Sequence, residues 1–128
     1  MRLSSLLLTT GFTAAASSES SSDCADGLQI IVGRGTGEDA GPGVLKIVAD
    51  QISSKVKGSK VVAVDYPATS LSPNYFDSVK DGTKEVHDDI VNYAKKCPRS
   101  KIAYLGYSQV CRRSLVKAAP CFVLIIGL

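Results

Sequence analysis

Apolar residues along this chain follow two alternating spacings. Leu28-Gln29-Ile30-Ile31-Val32, Val61-Val62-Ala63-Val64 and Ile102-Ala103-Tyr104-Leu105 are short runs rich in β-branched residues. They are apolar on both faces, the pattern of strands buried inside a parallel sheet. Between the first two runs, Val44, Leu45, Val48, Ile52 and Val56 recur at helical steps and stop at Gly58, a residue suited to a helix C-terminal cap. Between the second and third, Val79, Val86, Ile90, Tyr93 and Ala94 line one face of a helix predicted over residues 77–96. Strand, helix, strand, helix, strand at this spacing predicts an α/β fold with crossover connections and a parallel sheet. The alternation contains no internal repeat, no linker and no second domain.

The two ends depart from this pattern. Residues 1–16 run from Arg2 through an apolar stretch around Leu6, Leu7, Leu8 and Phe12 to Ala14-Ala15-Ala16, and Ser17 to Ser22 are polar at once. That is the layout of a secretory signal with a small-residue cleavage site, the alternative being a packed or disordered N-terminal helix. A secreted, extracellular chain beginning near Ser17 is expected. Its domain body is assigned to residues 17–109, and residues 110–128 form a separate tail.

Composition narrows the function classes. The 128 residues are 45% apolar and 21% charged, with a formal charge of +3, which suits a folded globular domain. No run reaches the ~20 apolar residues of a membrane span, so no membrane partner is expected. Without Trp, and with eight aromatic residues and no basic cluster, no nucleic-acid partner is expected either. Without the signal and the tail, residues 17–109 carry 11 basic and 12 acidic side chains. The basic balance belongs to the two ends.

Secretion would place the cysteines where pairing is favoured. Cys24 precedes the first strand and Cys97 follows the second helix, so a bridge between them would tie the mature N-terminus to the domain body; two free thiols are the alternative. Cys111 and Cys121 are assigned no partner.

In an open parallel sheet, chemistry is expected where loops leave the C-terminal ends of the strands. The third strand runs into Gly106-Tyr107-Ser108-Gln109-Val110. This resembles the G-x-S-x-G nucleophile elbow, with Val110 in place of the second glycine; an ordinary turn is the alternative. The first strand runs into Gly33-Arg34-Gly35-Thr36-Gly37-Glu38-Asp39-Ala40. One reading is an oxyanion loop that brings the Thr36 amide and hydroxyl near Ser108. A second is a dinucleotide loop, since Gly35 to Ala40 fits G-x-G-x-x-A and Asp65 ends the next strand. Against it, Glu38 and Asp39 would stand beside a pyrophosphate. A third is a glycine-rich turn with no ligand.

Taken together, Cys24, Arg34-Gly35-Thr36-Gly37-Glu38, Val64-Asp65-Tyr66-Pro67-Ala68, Cys97-Pro98 and Gly106-Tyr107-Ser108-Gln109 resemble the cutinase and acetylxylan esterase family of secreted serine esterases. The resemblance covers 86 residues, Cys24 through Gln109. It implies a three-layer α/β-hydrolase-type parallel sheet, here truncated after the nucleophile elbow. It also implies Ser108 as nucleophile, Thr36 and Gln109 as oxyanion-hole donors, a Cys24–Cys97 disulfide, and no metal or cofactor. The implied partner is an ester of the plant cell wall, acetylated xylan or cutin, and a monomer is expected. The Tyr66-Pro67-Ala68 turn is more similar to the acetylxylan and cutinase-like branch than to the small plant-pathogen cutinases.

The family's catalytic Asp and His should follow the nucleophile in the chain, yet no His, Asp or Glu follows Ser108. The single histidine, His87, is next to the buried stripe position Val86 and is expected to face solvent; a relocated base is the alternative. From Val110 the resemblance stops. Val-Cys can be encoded by a sequence that opens an intron donor site, so residues 110–128 are expected to be translated intron or a frame error. A genuine short variant with a strand at residues 122–126 is the alternative. The 128-residue chain is therefore expected to be an inactive N-terminal part of a secreted ester hydrolase. A catalytically inactive product of the same fold is the second reading, and a dinucleotide-binding oxidoreductase a remote third.

Overall fold

The computed structural model of the protein describes residues 23–106, 108–111 and 124–126. The predicted leader over 1–16, the polar stretch 17–22, Tyr107, Cys121 and Phe122 lie outside the described residues. Strands β1 (Leu28–Gly33), β2 (Lys60–Ala63), β3 (Lys101–Gly106) and β4 (Leu124–Ile126) form one sheet in the order β2-β1-β3-β4. β1 pairs in parallel with both β2 and β3. Helices α1 (Lys46–Lys55) and α2 (Tyr75–Lys96) connect these three strands.

Strand alternation divides the core into two layers. Ile30 and Val32 of β1 meet Ala103 and Leu105 of β3 under Leu45 and Ala49. Ile31 faces the other way and joins Val64, Ile102 and Tyr104 under Val86 and Ile90 of α2. Ile30, Val32, Ile102 and Leu105 are each 0% exposed, and such burial contributes about 1.5–3 kcal/mol per large side chain. The result is the α/β-hydrolase-type arrangement expected, with helices against both faces of a parallel three-strand core.

α2 follows its predicted stripe closely. It starts two residues earlier than position 77 because the Asn74 side chain accepts hydrogen bonds from the Phe76 and Asp77 amides, at 3.0 and 3.1 Å. That cap satisfies otherwise unpaired first-turn donors and contributes about 1 kcal/mol. Asp77 in the first turn and Lys95 and Lys96 in the last also oppose the helix dipole favourably.

Three elements differ from the periodicity reading. α1 is entered through a 3-10 turn, Gly43–Leu45, whose three residues per turn rotate the stripe. Leu45 and Ala49 therefore face the sheet, while Val44 and Val48, two of the predicted stripe residues, are exposed together with Ile47. β2 is an edge strand, so Val61 and Val62 are partly exposed despite their all-apolar pattern. The sheet is also not wholly parallel. β4 pairs antiparallel with β3, Tyr104 with Leu124 through Ile102 with Ile126, within the segment where the alternative reading placed a strand.

The N-terminal end of the sheet is closed covalently. Cys24 and Cys97 form a disulfide with Cα atoms 5.7 Å apart, closing a separation of 73 residues. Around it the Ala25 amide donates to the Tyr93 hydroxyl at 2.8 Å and the Ser100 hydroxyl donates to the Ala25 carbonyl at 3.1 Å.

Candidate active site

Gly33 and Gly106 are partners in the register of β1 and β3, so the two loops singled out in the sequence leave the sheet side by side at its C-terminal end. Ser108 opens a short 3-10 turn, Ser108–Cys111, with φ of +53°. A non-glycine residue in the left-handed region is uncommon and costs roughly 1–2 kcal/mol. Here it turns the chain sharply off the end of β3 and leaves Ser108 exposed while Gln109 is fully buried. Gly106 is required just before the turn: a Cβ at that position would lie 2.7 Å from the Tyr104 hydroxyl. Burial raises the pKa of that hydroxyl, which has no hydrogen-bond partner.

Gln109 holds the turn in place from below. Its Oε1 accepts from the Ser78 hydroxyl at 2.9 Å and its Nε2 donates to the Thr69 carbonyl at 2.9 Å. Ser78 Oγ in turn accepts from the Thr69 amide at 3.1 Å. This closed ring of three residues joins the elbow, the first turn of α2 and the loop after β2. All the buried polar atoms in the ring are paired, which gives geometric definition without a desolvation penalty.

The loop after β1 is held as firmly. Arg34 is 6% exposed. Its Nη1 donates to the Val64 carbonyl at 3.3 Å, its Nη2 to the Tyr66 carbonyl, and its Nε to the Glu38 carbonyl at 3.1 Å. The guanidinium lies 5.1 Å from the centre of the Tyr66 ring, so the buried cation is met by carbonyl dipoles and a π face. The Tyr66 hydroxyl donates back to the Arg34 carbonyl at 2.5 Å, and burial pushes its pKa up to about 12 against the partly offsetting charge of Arg34.

Glu38 turns inward. Its carboxylate accepts from the Gly35 amide at 2.5 Å and from the Val44 amide at 2.7 Å. A Cβ at Gly43 would lie 2.6 Å from Glu38 Oε2, and Gly43 has φ of +59°. The amides that a pyrophosphate would need at this loop are thus occupied by the chain's own carboxylate, which weighs against the dinucleotide reading. Gly37 donates to the Ala68 carbonyl at 2.7 Å. Thr36, between these anchors, is exposed, and its amide and hydroxyl take no part in any of these bonds.

Ser108 and Gln109 on one side and Thr36 on the other therefore lie on the two loops that leave adjacent strands at the same end of the sheet. His87 does not join them. It is exposed on α2 with Nδ1 3.3 Å from Asp88 Oδ1, and it sits nine residues beyond Ser78, about 13 Å further along the helix. Among the described residues, no group of three or more His, Cys, Asp or Glu could hold a metal ion, and no helix is long and apolar enough to cross a membrane. The anchoring roles of Arg34, Glu38, Thr69 and Ser78 were not evident in the sequence. Ser78 left the one usable signal, a small polar residue just before Val79 on the buried face of α2.

A parallel α/β core with a left-handed Ser just past the end of β3, beside a pinned glycine loop, defines an α/β-hydrolase-type protein. More specifically, the chain belongs to the cutinase family, whose model matches residues 24–119 and so extends past Gln109. Two structures of acetyl xylan esterase, an iodinated complex at 1.80 Å and one at 0.90 Å resolution, each share 28% identity with it at a TM-score of 0.64, covering 67% of this chain and 44% of theirs. The catalytic core domain of acetyl xylan esterase from Trichoderma reesei is similar at 26% identity and the same TM-score, covering 68% of this chain and 44% of its own. The chain thus spans less than half the length of these structures. No curated protein matches it significantly.

Proposed function

We propose that this chain carries the nucleophile half of a secreted serine carboxylic ester hydrolase, with Ser108 as nucleophile and Thr36 and Gln109 as oxyanion-hole donors. The observation that carries this reading is the left-handed, exposed Ser108 just past the end of β3, whose last residue, Gly106, pairs with Gly33 at the start of the loop that presents Thr36. Ser108 Oγ attacks the ester carbonyl and passes its proton to a general base. The tetrahedral oxyanion is held by the Gln109 N–H and by the Thr36 amide and hydroxyl. Collapse expels the alcohol and leaves an acyl-serine, which water hydrolyses to release the acid and restore the hydroxyl. No metal or cofactor takes part.

An Asp and a His complete such a triad. The residues after Ser108 contain neither, nor a Glu, and His87 lies well along α2. The 128-residue sequence alone is therefore inactive, and a base and acid contributed from sequence outside it would make it an esterase. That same observation favours the second reading, an inactive product of the same fold. The acetyl xylan esterase neighbours support a short acyl group on a plant cell-wall polysaccharide as substrate, ahead of cutin. Secretion is supported by the Cys24–Cys97 disulfide, a bond that persists in oxidising compartments.

The test is hydrolysis of p-nitrophenyl acetate by two proteins: the 128-residue chain, and residues 23–109 joined to the C-terminal remainder of the Trichoderma reesei catalytic core domain. Turnover by the chimera alone is the expected result. A folded chimera with no turnover rejects the esterase reading, and turnover by the 128-residue chain rejects this account of the triad.

A further inference from the structure

At the end of the sheet opposite Ser108, a cleft of about 210 Å³ opens between β2, the start of β1 and the last turns of α2. Its floor holds Gln29, placed on the α2 side of β1 by the same alternation that puts Ile31 there. Gln29 is 8% exposed and its Oε1 has no hydrogen-bond partner. Buried acceptors in folded proteins are almost always paired, and because Gln29 lines the cleft, a turn of its amide toward the cleft gives a donor from outside access to this one.

Asp89 adds a second acceptor on the helix side of the cleft. The charges acting on it are those of Glu85, Asp88 and Asp65, and burial before these raises its pKa above the usual carboxylate range. At the other end lies Lys96, whose Nζ is 2.6 Å from Asp23, and Lys60 of β2 is in register with Gln29. Ile31 and Val62 supply an apolar wall. The Tyr93 ring is fixed beside them by the bond from the Ala25 amide to its hydroxyl.

Charge selects the ligand. An anion would meet Asp89 and its acidic neighbours, and a cation would meet Lys96. A neutral ligand with hydroxyls around its rim and an apolar C–H face can donate to Gln29 Oε1 and Asp89, accept from the ammonium end, and lie against the wall. The volume is below the roughly 300 Å³ at which clefts for drug-sized ligands begin, so one ring fits rather than several. We infer that this cleft binds a single pyranose ring of a neutral glycan, at a site separate from Ser108 and whether or not Ser108 is a nucleophile.

The test is titration of xylotetraose into the ¹⁵N-labelled 128-residue chain, followed by amide chemical shifts. Saturable shifts centred on residues 89–93, with a Kd in about the millimolar range, are expected. Gln29→Leu and Asn92→Ala should each weaken binding about five-fold or more, the loss of one hydrogen bond. Asn92 also lines the cleft, where its amide offers the ligand a further hydrogen bond, and it is exposed on the helix surface, so its replacement leaves the fold intact and decides the matter if Gln29→Leu is unstable. Ser108→Ala should leave the affinity unchanged, which separates this site from the proposed esterase centre. Shifts that do not saturate, that fall elsewhere, that glycerol reproduces at equal concentration, or that persist unweakened in Asn92→Ala overturn the inference.

Discussion

The two ends of the sheet are secured by different physics. At the N-terminal end a disulfide joins residues 73 positions apart, with an exposed Lys96–Asp23 ion pair beside it. At the C-terminal end there is no covalent link among the described residues. Two sets of buried, paired polar groups do the joining instead: Arg34, Glu38 and Tyr66 on one loop system, and Thr69, Ser78 and Gln109 under the elbow. A covalent link limits the unfolded chain and tolerates small shifts in the folded one. Directional hydrogen bonds do the reverse, since they fix relative position and lose their value when a partner is removed. The end that needs only to stay closed has the covalent link, and the end that presents Ser108 has the directional one.

Removing the disulfide tests the first half of that contrast and should have the largest effect on stability. Cys24→Ser with Cys97→Ser should cost about 4 kcal/mol by loop-closure entropy, measured by denaturant unfolding. The amide shifts of Gly35, Thr36 and Ser108 should barely change. Shifts at those residues as large as those around Ala25 would show that the two ends are not independent.

Arg34→Met should come next, at about 3 kcal/mol, because it leaves the buried Val64 and Tyr66 carbonyls without their donor. Urea unfolding checks it, and a cost under about 1 kcal/mol would mean that water replaces the guanidinium. Gln109→Leu should cost about 2 kcal/mol by orphaning the Ser78 hydroxyl and the Thr69 carbonyl. In the chimera it should also lower turnover by about 10-fold or more, through displacement of the elbow. Equal losses of stability from Gln109→Leu and from an exposed-site control such as Lys84→Ala would contradict the anchoring role.

The smallest effect concerns pH. Tyr66 has its pKa raised from 10.0 to about 12 by burial, so its contribution is fully present below pH 10 and is lost as pH rises through about 12. Melting temperature should fall over that window, and less steeply in Tyr66→Phe. Tyr104, also raised by burial, should retain part of the fall. A curve for Tyr66→Phe that overlays the parent would assign the whole effect to other groups.

How legible these features were in the sequence depended on how local their causes are. The α2 stripe from Val79 to Ala94 could be read because a helix repeats its environment every turn, and β1 and β3 because both their faces are covered. β2 has an equally apolar run, but its place at the edge is a property of strand order, which composition does not encode. The face of α1 differs from the periodicity because the chain enters it through a 3-10 turn whose Val44 amide is held by the Glu38 carboxylate, a contact across the loop. Glu38 itself was read as a charge hostile to phosphate; in the fold it fills the amides a phosphate would use. Gly106 and Ser108 alone leave an ordinary turn open, and they resemble a nucleophile elbow only together with the Arg34–Glu38 loop and the cysteines. The support beneath the turn could not be read, since Gln109 meets Ser78 and Thr69 across 31 and 40 residues.

The central claim is that the strained turn at Ser108 presents a nucleophile. Its most direct test is labelling of the chimera with diethyl p-nitrophenyl phosphate, followed by peptide mapping and comparison with the Ser108→Ala form. One phosphoryl group should be found on Ser108, with one p-nitrophenolate released per label, and neither label nor esterase turnover should be detectable in Ser108→Ala. Label on another residue, or turnover in Ser108→Ala within about 10-fold of the parent, far above the ~10⁴-fold or greater loss expected on removing a catalytic serine, would contradict the account.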